Sequence, residues 1–109
     1  MSTEHTTPDH AHVTDVVLKR AARMFGAVSN PERLRLLECL RGGEACVSGL
    51  AEHLGEPVTT TSNRLQILAR AGLVVKRREE RHQYYRLADE HVVQLLDFAL
   101  EHAQHTELY

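Results

Sequence analysis

Residues that interrupt helices recur along this chain and limit each helix to a short length. The sequence is divided into short segments by Asn30-Pro31, Gly42-Gly43, Gly55-Glu56-Pro57 and Gly72. Asn and Pro favour the start of a helix, whereas Gly favours the position just past its end. With 109 residues, 42% of them apolar, the chain has material for one small domain with a modest core.

Apolar periodicity between these breaks predicts five helices. The first is expected from about Asp15 to Ala27, and the second begins at Asn30-Pro31 with an apolar stripe of leucines. We expect Ser48 to cap a short third helix, a fourth helix to run from Thr59 to Ala71, and a last helix from about Asp89 to His105. Residues 1–12 show no periodicity and are expected to form a mobile tail, so that residues 13–109 form the domain.

Two strand-like runs lie between the fourth and fifth helices. Residues 73–78 and 81–87 are rich in β-branched and aromatic residues, and Glu79-Glu80 joins them. This composition predicts a β-hairpin, with Tyr84 and Tyr85 on opposite faces. Two short helices followed by a hairpin are typical of a winged helix-turn-helix. The predicted fold is therefore mainly α, with five helices and a two-stranded wing.

The net charge of −2 conceals a marked asymmetry. Residues 58–87 contain seven basic and two acidic side chains, whereas residues 89–109 contain five acids and no Lys or Arg. The basic segment favours nucleic-acid binding, although a solvated basic face is an equal alternative on charge alone. We expect Arg64 to contact a phosphate or a guanine, and Asn63 or Gln66 a base edge. The full set of predicted DNA contacts is Thr60, Thr61, Ser62, Asn63, Arg64 and Gln66 on the fourth helix, with Arg78, Arg81, His82 and Gln83 in the wing.

Four potential metal ligands, Asp89, His91, His102 and His105, mark the two ends of the last helix. Carboxylate oxygen and neutral imidazole nitrogen are donors that Zn²⁺, Co²⁺ and Ni²⁺ accept. His91 and His102 face nearly the same side but lie roughly 16 Å apart along the axis, far more than a metal–ligand bond of about 2 Å. One helix therefore cannot close the site, whereas two antiparallel copies could. The spacing predicts a homodimer with two equivalent sites.

Four protein ligands would fill a tetrahedral shell and leave no open position for a substrate. We therefore expect a structural or regulatory site, no enzyme and no small-molecule substrate. The oxygen and nitrogen donors favour Zn²⁺, with Co²⁺ and Ni²⁺ as alternatives. Ni²⁺ would need further ligands, which His5, His10 or His12 could supply, although a plain tail is the preferred interpretation.

Nothing in the sequence indicates export or membrane insertion. We find no signal peptide and no apolar run of membrane length. The two cysteines, Cys39 and Cys46, lack a secretory context. A reduced, cytoplasmic protein is expected.

From about Ala27 to His105 the chain resembles the ArsR/SmtB family of metal-responsive winged-helix repressors. SNPERLRLLECL is similar to the family's second helix, CVSGLAEHLGEPVTTTSNRLQILARAGLV to its helix-turn-helix and RHQYYRL to its wing. DEHVVQLLDFALEHAQH carries the pattern of the family's zinc site. The resemblance implies a homodimer that binds operator DNA when metal-free and releases it when metal binds between the C-terminal helices. It also implies a hydrogen-bonded link from His102 to the carbonyl of Gly72.

The sequence departs from the family in two places. Glu80 stands where the wing turn usually has Gly, so the shape of the turn and its DNA contact are in question. Cys46 matches the first residue of a second family metal site, but Ser48 and Gly49 follow in place of ligands. One alternative is a thiol-responsive regulator that uses Cys39 and Cys46, and another is a zinc-stabilised protein without a DNA role.

Overall fold

The structure, a computed structural model, describes residues 12–105. Its helices are α1 (Asp15–Ala27), α2 (Pro31–Leu40), α3 (Val47–Leu54), α4 (Val58–Arg70) and α5 (Glu90–His105), and its strands are β1 (Ala45–Cys46), β2 (Val74–Glu79) and β3 (His82–Leu87). The five predicted helices are confirmed. Within these residues, no helix combines the length and apolar character that crossing a membrane requires.

The helix starts follow local capping chemistry. Asn30 accepts a hydrogen bond from the backbone N–H of Arg33 at 3.0 Å, and Pro31 occupies the first turn of α2, as predicted. The predicted cap of α3 is wrong: Cys46, not Ser48, precedes the helix, and its Sγ accepts from the N–H of Gly49 at 3.4 Å. Because α3 begins at Val47, Ser48 falls inside its first turn.

The predicted β-hairpin is present as β2 and β3, and a third strand, β1, joins it to form an antiparallel sheet in the order β1-β3-β2. The third strand, β1, places Ala45 opposite Tyr85 and Cys46 opposite Tyr84. A strand of two residues is too short to show periodicity, which is why the sequence did not predict it. Tyr85 is buried and Tyr84 is half-buried, so the predicted alternation of the two tyrosines is confirmed.

The wing turn has backbone strain at its first residue. Glu79 pairs with His82, which leaves Glu80 and Arg81 as the loop. Glu80 has a φ of 56°, in the left-handed region that favours glycine. For an L-residue with a side chain this conformation costs about 1–2 kcal/mol. Glu80 thus adopts the conformation for which a Gly would be the usual choice.

The core lies between α2, α4, the sheet and α5. Its most completely buried side chains are Leu36, Leu37, Leu65, Leu68, Leu73, Tyr85 and Leu96. In contrast, α1 buries only Ala27, and Val16, Leu18 and Phe25 of that helix are exposed. Much of the apolar side-chain surface of α1 therefore lies outside the core.

Candidate DNA-binding face and metal-ligand residues

The beginning of α4 and the tip of the wing form one side of the molecule. Ser62 of α4 lines a cleft of about 290 Å³ together with Arg81, His82 and Gln83 of the wing. The same cleft is also lined by Cys46, Val47, Ser48 and Val58. The structure therefore brings together four of the residues predicted to contact DNA, although they come from two separate segments of the chain.

Thr61, also predicted as a DNA contact, lies in the interior. Its side chain is 1% exposed, and its hydroxyl donates to the carbonyl oxygen of Pro57 at 3.0 Å. This geometry is a hydrogen bond from a residue to the carbonyl one turn earlier in the helix. The predicted DNA contact is corrected here: the Thr61 side chain is buried on the inner side of α4. Its neighbours Thr60 and Asn63 are half-buried and exposed, respectively.

Three other predicted contacts are engaged within the protein. Arg64 forms an ion pair with Glu56 at 3.5 Å, just before α4. The Nε2 of Gln66 lies 3.3 Å from Ser62 Oγ, one turn earlier in α4. In the wing, the Nε of Arg78 donates to the carbonyl of Glu80 at 3.4 Å. Glu56 was not predicted as the partner of Arg64, although the two residues lie only eight positions apart, across the turn before α4.

Arg77 holds the wing to the chain before β1. Its guanidinium donates to both carboxylate oxygens of Glu44, at 3.0 and 2.8 Å, and to Glu79 at 2.8 Å. It also lies over the ring of Tyr84, 4.8 Å from the centroid. The hydrogen bond from Arg77 lowers the pKa of Glu44 below its usual value. This structural role of Arg77 has no signal in the sequence, because its partner Glu44 lies 33 positions away in the chain.

The two cysteines have different environments, and both are free thiols. Cys39 packs against the core from α2, as expected for a small apolar residue. Cys46 caps α3 and lies 3.5 Å from the Oγ of Ser48. The hydrogen bond with Ser48 and that from the Gly49 N–H lower the pKa of the Cys46 thiol. Cys46 therefore has more thiolate character than an ordinary cysteine.

Asp89 and His91 converge at the start of α5. The Oδ1 of Asp89 accepts from the N–H groups of His91 and Val92 at 3.0 and 3.3 Å, which makes Asp89 the cap of this helix. The imidazole of His91 lies 3.7 Å from the same carboxylate oxygen, and its side chain is 90% exposed. The two potential ligands are thus adjacent and open to solvent.

His102 and His105 are exposed in the last turn of α5 and line a cleft of about 260 Å³ with Phe98 and Glu101. Among residues 12–105 of one protomer, no three His, Cys, Asp or Glu side chains approach closely enough to hold an ion. His5 and His10 lie outside the described residues, and His12 is exposed. The donor chemistry suits a divalent metal, but the two pairs lie at opposite ends of one helix.

Gly72, the predicted hydrogen-bonding partner of His102, follows the end of α4. Its φ of 80° is left-handed, and its N–H donates to the carbonyl of Ala69 at 3.0 Å. This arrangement is typical of glycine just past a helix. Its place at the end of α4 agrees with the sequence analysis, while the link to His102 stays a prediction.

Comparison with known proteins identifies the family. A helix-turn-helix domain family matches residues 28–77. The transcriptional regulator NmtR of Mycobacterium tuberculosis is 40% identical over 82% of this chain and 74% of its own length, and the SmtB repressor homolog of Synechocystis is 37% identical over 82% and 67%. The solution structure of a homodimeric winged helix-turn-helix domain from Mycobacterium bovis, a possible ArsR-family regulator, matches with a TM-score of 0.80 and 36% identity over 98% of this chain and 94% of that one. The chain belongs to the ArsR/SmtB family of metal-responsive winged-helix transcriptional repressors.

Proposed function

We propose that this protein is a homodimeric repressor that binds operator DNA when metal-free and releases it when Zn²⁺ binds between paired α5 helices. Co²⁺ and Ni²⁺ are the alternative inducers. One observation carries the proposal: Asp89 and His91 converge at the first turn of α5, while His102 and His105 lie exposed at its last turn. Each pair is half of a four-ligand site.

On the DNA side, the face formed by α4 and the wing supplies contacts of two kinds. Ser62, Asn63 and Gln66 would approach base edges in the major groove. Arg81, His82 and Gln83 would approach the phosphate backbone from the wing. A two-fold dimer would present two such faces to half-sites about 34 Å apart, so the separation of the α4 helices determines affinity.

On the metal side, the capping role of Asp89 leaves room for coordination. Its Oδ1 accepts the two backbone hydrogen bonds, and a carboxylate has a second oxygen that can bind an ion. His91 would add a nitrogen from the same chain, and His102 and His105 of the partner subunit would complete the shell. The bound ion would supply charge and fixed geometry between the chains, with no chemical reaction.

Communication between the two sites would pass through α5. Val92 and Leu96 bury this helix against the core that also holds α4, so fixing two α5 helices together fixes the spacing of the two α4 helices. A hydrogen bond from His102 to the Gly72 carbonyl, at the end of α4, would reinforce this path. Linkage requires metal and DNA to weaken each other equally, typically by about 5–150-fold.

Fluorescence anisotropy with a duplex from the region upstream of the protein's own gene tests the proposal at a stated salt concentration. We expect metal-free protein to bind and Zn²⁺ to weaken binding. His102→Ala should bind DNA normally but lose the response to Zn²⁺. His53→Ala, which removes another exposed imidazole, is the matched control and should respond like the wild type. No binding to this duplex or to any related palindrome, or equal responses of both variants, would contradict the proposal.

A second candidate is a thiol-responsive regulator, favoured by the hydrogen bonds that lower the pKa of Cys46. The partner cysteine would have to be Cys39, which packs against the core. The double variant Cys39→Ser/Cys46→Ser separates the candidates. Loss of the inducer response with Zn²⁺ binding intact would favour the thiol account over the metal account.

A further inference from the structure

Phe98, in the middle of α5, lies outside the hydrophobic core of the protomer. At 75% exposure it is the most exposed large apolar side chain of residues 12–105. Val92 and Leu96 are buried on another side of the same helix, while Asp97 beside Phe98 pairs with Arg41, the residue that follows α2. The phenyl ring is therefore open to a contact from outside the protomer, on a helix whose only buried residues are Val92 and Leu96.

Phe98 lies on the same face of α5 as the potential metal ligands. It follows His91 by seven residues and precedes His105 by seven, which keeps each histidine within about 20° of Phe98 around the helix. Shallow clefts flank the ring on both sides. Phe98 shares one cleft with Gln94, Asp97 and Glu101, and the other with Glu101, His102 and His105.

The ligand positions also fix where a two-fold axis would cross α5. If Asp89 and His91 of one chain meet His102 and His105 of the other, the midpoint of the pairing lies between Leu96 and Asp97. Phe98 is then within about 3 Å of the axis along the helix. Packed helices lie about 8–10 Å apart, which brings two such rings within the 4.5–7 Å range of aromatic pairs.

We infer that Phe98 docks against Phe98 of the partner subunit at this axis, and that the contact sets the register of the two metal sites. The inference rests on the proposed function, and the occupant is a second copy of this chain. A slip of one residue between the helices would rotate each ligand pair by about 100° relative to its target. Because the Phe98 ring lies near the two-fold axis, it is equally close to both metal sites and opposes such a slip at both of them.

Disulfide trapping tests the contact directly. In a Cys39→Ser/Cys46→Ser background, Phe98→Cys should form a cross-linked dimer under mild oxidation, because residues near the axis meet the Cα separation of up to about 7 Å that a disulfide needs. Gln104→Cys, on the same helix, is the control, since its own copy would lie roughly 22 Å away. We expect at least about tenfold faster cross-linking at position 98. Equal rates would overturn the inference.

Dimer stability provides a second measurement that leaves the cysteines unchanged. Phe98→Ala should raise the dimer dissociation constant of the metal-free protein by about ten- to a hundredfold in sedimentation equilibrium. Alanine favours helices more than phenylalanine, so weakening of α5 itself would not explain this effect. Val75→Ala, which removes an exposed valine from β2, is the control and should leave the constant unchanged. An unchanged constant for Phe98→Ala would also overturn the inference.

Failure of this inference and failure of the proposed function give different results. A wild-type protein that binds Co²⁺ at its α5 ligands while Phe98→Cys cross-links no faster than Gln104→Cys refutes the Phe98 contact alone. A wild-type protein that binds no Co²⁺ while Phe98→Cys cross-links rapidly refutes the metal site and retains the contact.

Discussion

Replacing Thr61 with valine separates a packing role from a DNA contact. Thr61 lies on the predicted recognition helix but is 1% exposed, and its hydroxyl donates to Pro57. Valine keeps the branched shape and removes only the hydrogen bond. We expect Thr61→Val to lower stability slightly and to change DNA affinity by less than about threefold. This is smaller than a tenfold change, which represents about 1.4 kcal/mol of binding free energy.

The size of the stability loss follows from the hydrogen-bonding geometry. The Pro57 carbonyl also accepts the backbone N–H of Thr61 at 3.0 Å, so no buried acceptor is left unpaired when the hydroxyl is removed. The loss is then one net hydrogen bond, about 0.5–1.5 kcal/mol. For a domain of this size, each kcal/mol lowers the Tm by about 4–8 °C. Thr61→Ala, which also deletes a buried methyl group, should lose about 1 kcal/mol more.

Thermal unfolding and fluorescence anisotropy on the same samples provide the test. Protomer concentration must be held constant, because the Tm of a dimer depends on it. Asn63→Ala, two positions along α4 and exposed, should instead keep its Tm and weaken DNA binding by about tenfold or more. Wild-type stability in Thr61→Val combined with a tenfold loss of DNA affinity would refute the assignment.

Three further predictions concern the wing turn, the Cys46 thiol and the ion pair of Arg64. Glu80→Gly should relieve the strain of the left-handed backbone and remove an acidic side chain near the DNA phosphates. The Tm should rise slightly and DNA affinity should rise about two- to fivefold. A lower Tm together with a lower DNA affinity would contradict the strain at Glu80. Ser48→Ala should raise the pKa of Cys46, because the variant lacks the hydrogen bond that lowers this pKa. The thiolate fraction and the rate of iodoacetamide alkylation at neutral pH should therefore fall. An unchanged pH profile of alkylation would count against that hydrogen bond. Glu56→Gln should release Arg64 and strengthen DNA binding about two- to fivefold with a steeper salt dependence, whereas unchanged binding would show that the ion pair does not restrain Arg64.

Sequence patterns predicted most of this fold because its helices carry strong local signals. Asn30 and Pro31 define the start of α2, and the structure shows the expected cap. The predictions were wrong or incomplete where an element has only a few residues or where a structural role depends on tertiary contacts. Strand β1 has two residues, and the capping role of Cys46 falls to a residue that is not among the usual capping types.

The sequence predicted which residues belong to the candidate site, but not which other residues they contact. Periodicity placed Ser62 and Asn63 on α4, but it could not show that Thr61 lies under them. Contacts between distant segments, such as that of Arg77 with Glu44, have no local signature at all. The contact we infer for Phe98 follows only when its exposure is combined with the spacing of the potential ligands on α5.

Subunit mixing tests most directly whether the metal site lies between chains. The variants Asp89→Ala/His91→Ala and His102→Ala/His105→Ala each lose one ligand pair, so neither homodimer should bind Co²⁺ tightly. After the two are mixed and allowed to exchange, each heterodimer should regain one complete site from the intact pairs of different chains, with the visible spectrum of tetrahedral Co²⁺. If the mixture binds no more Co²⁺ than the separate variants, although exchange has occurred, the ion does not bridge two subunits and the account is contradicted.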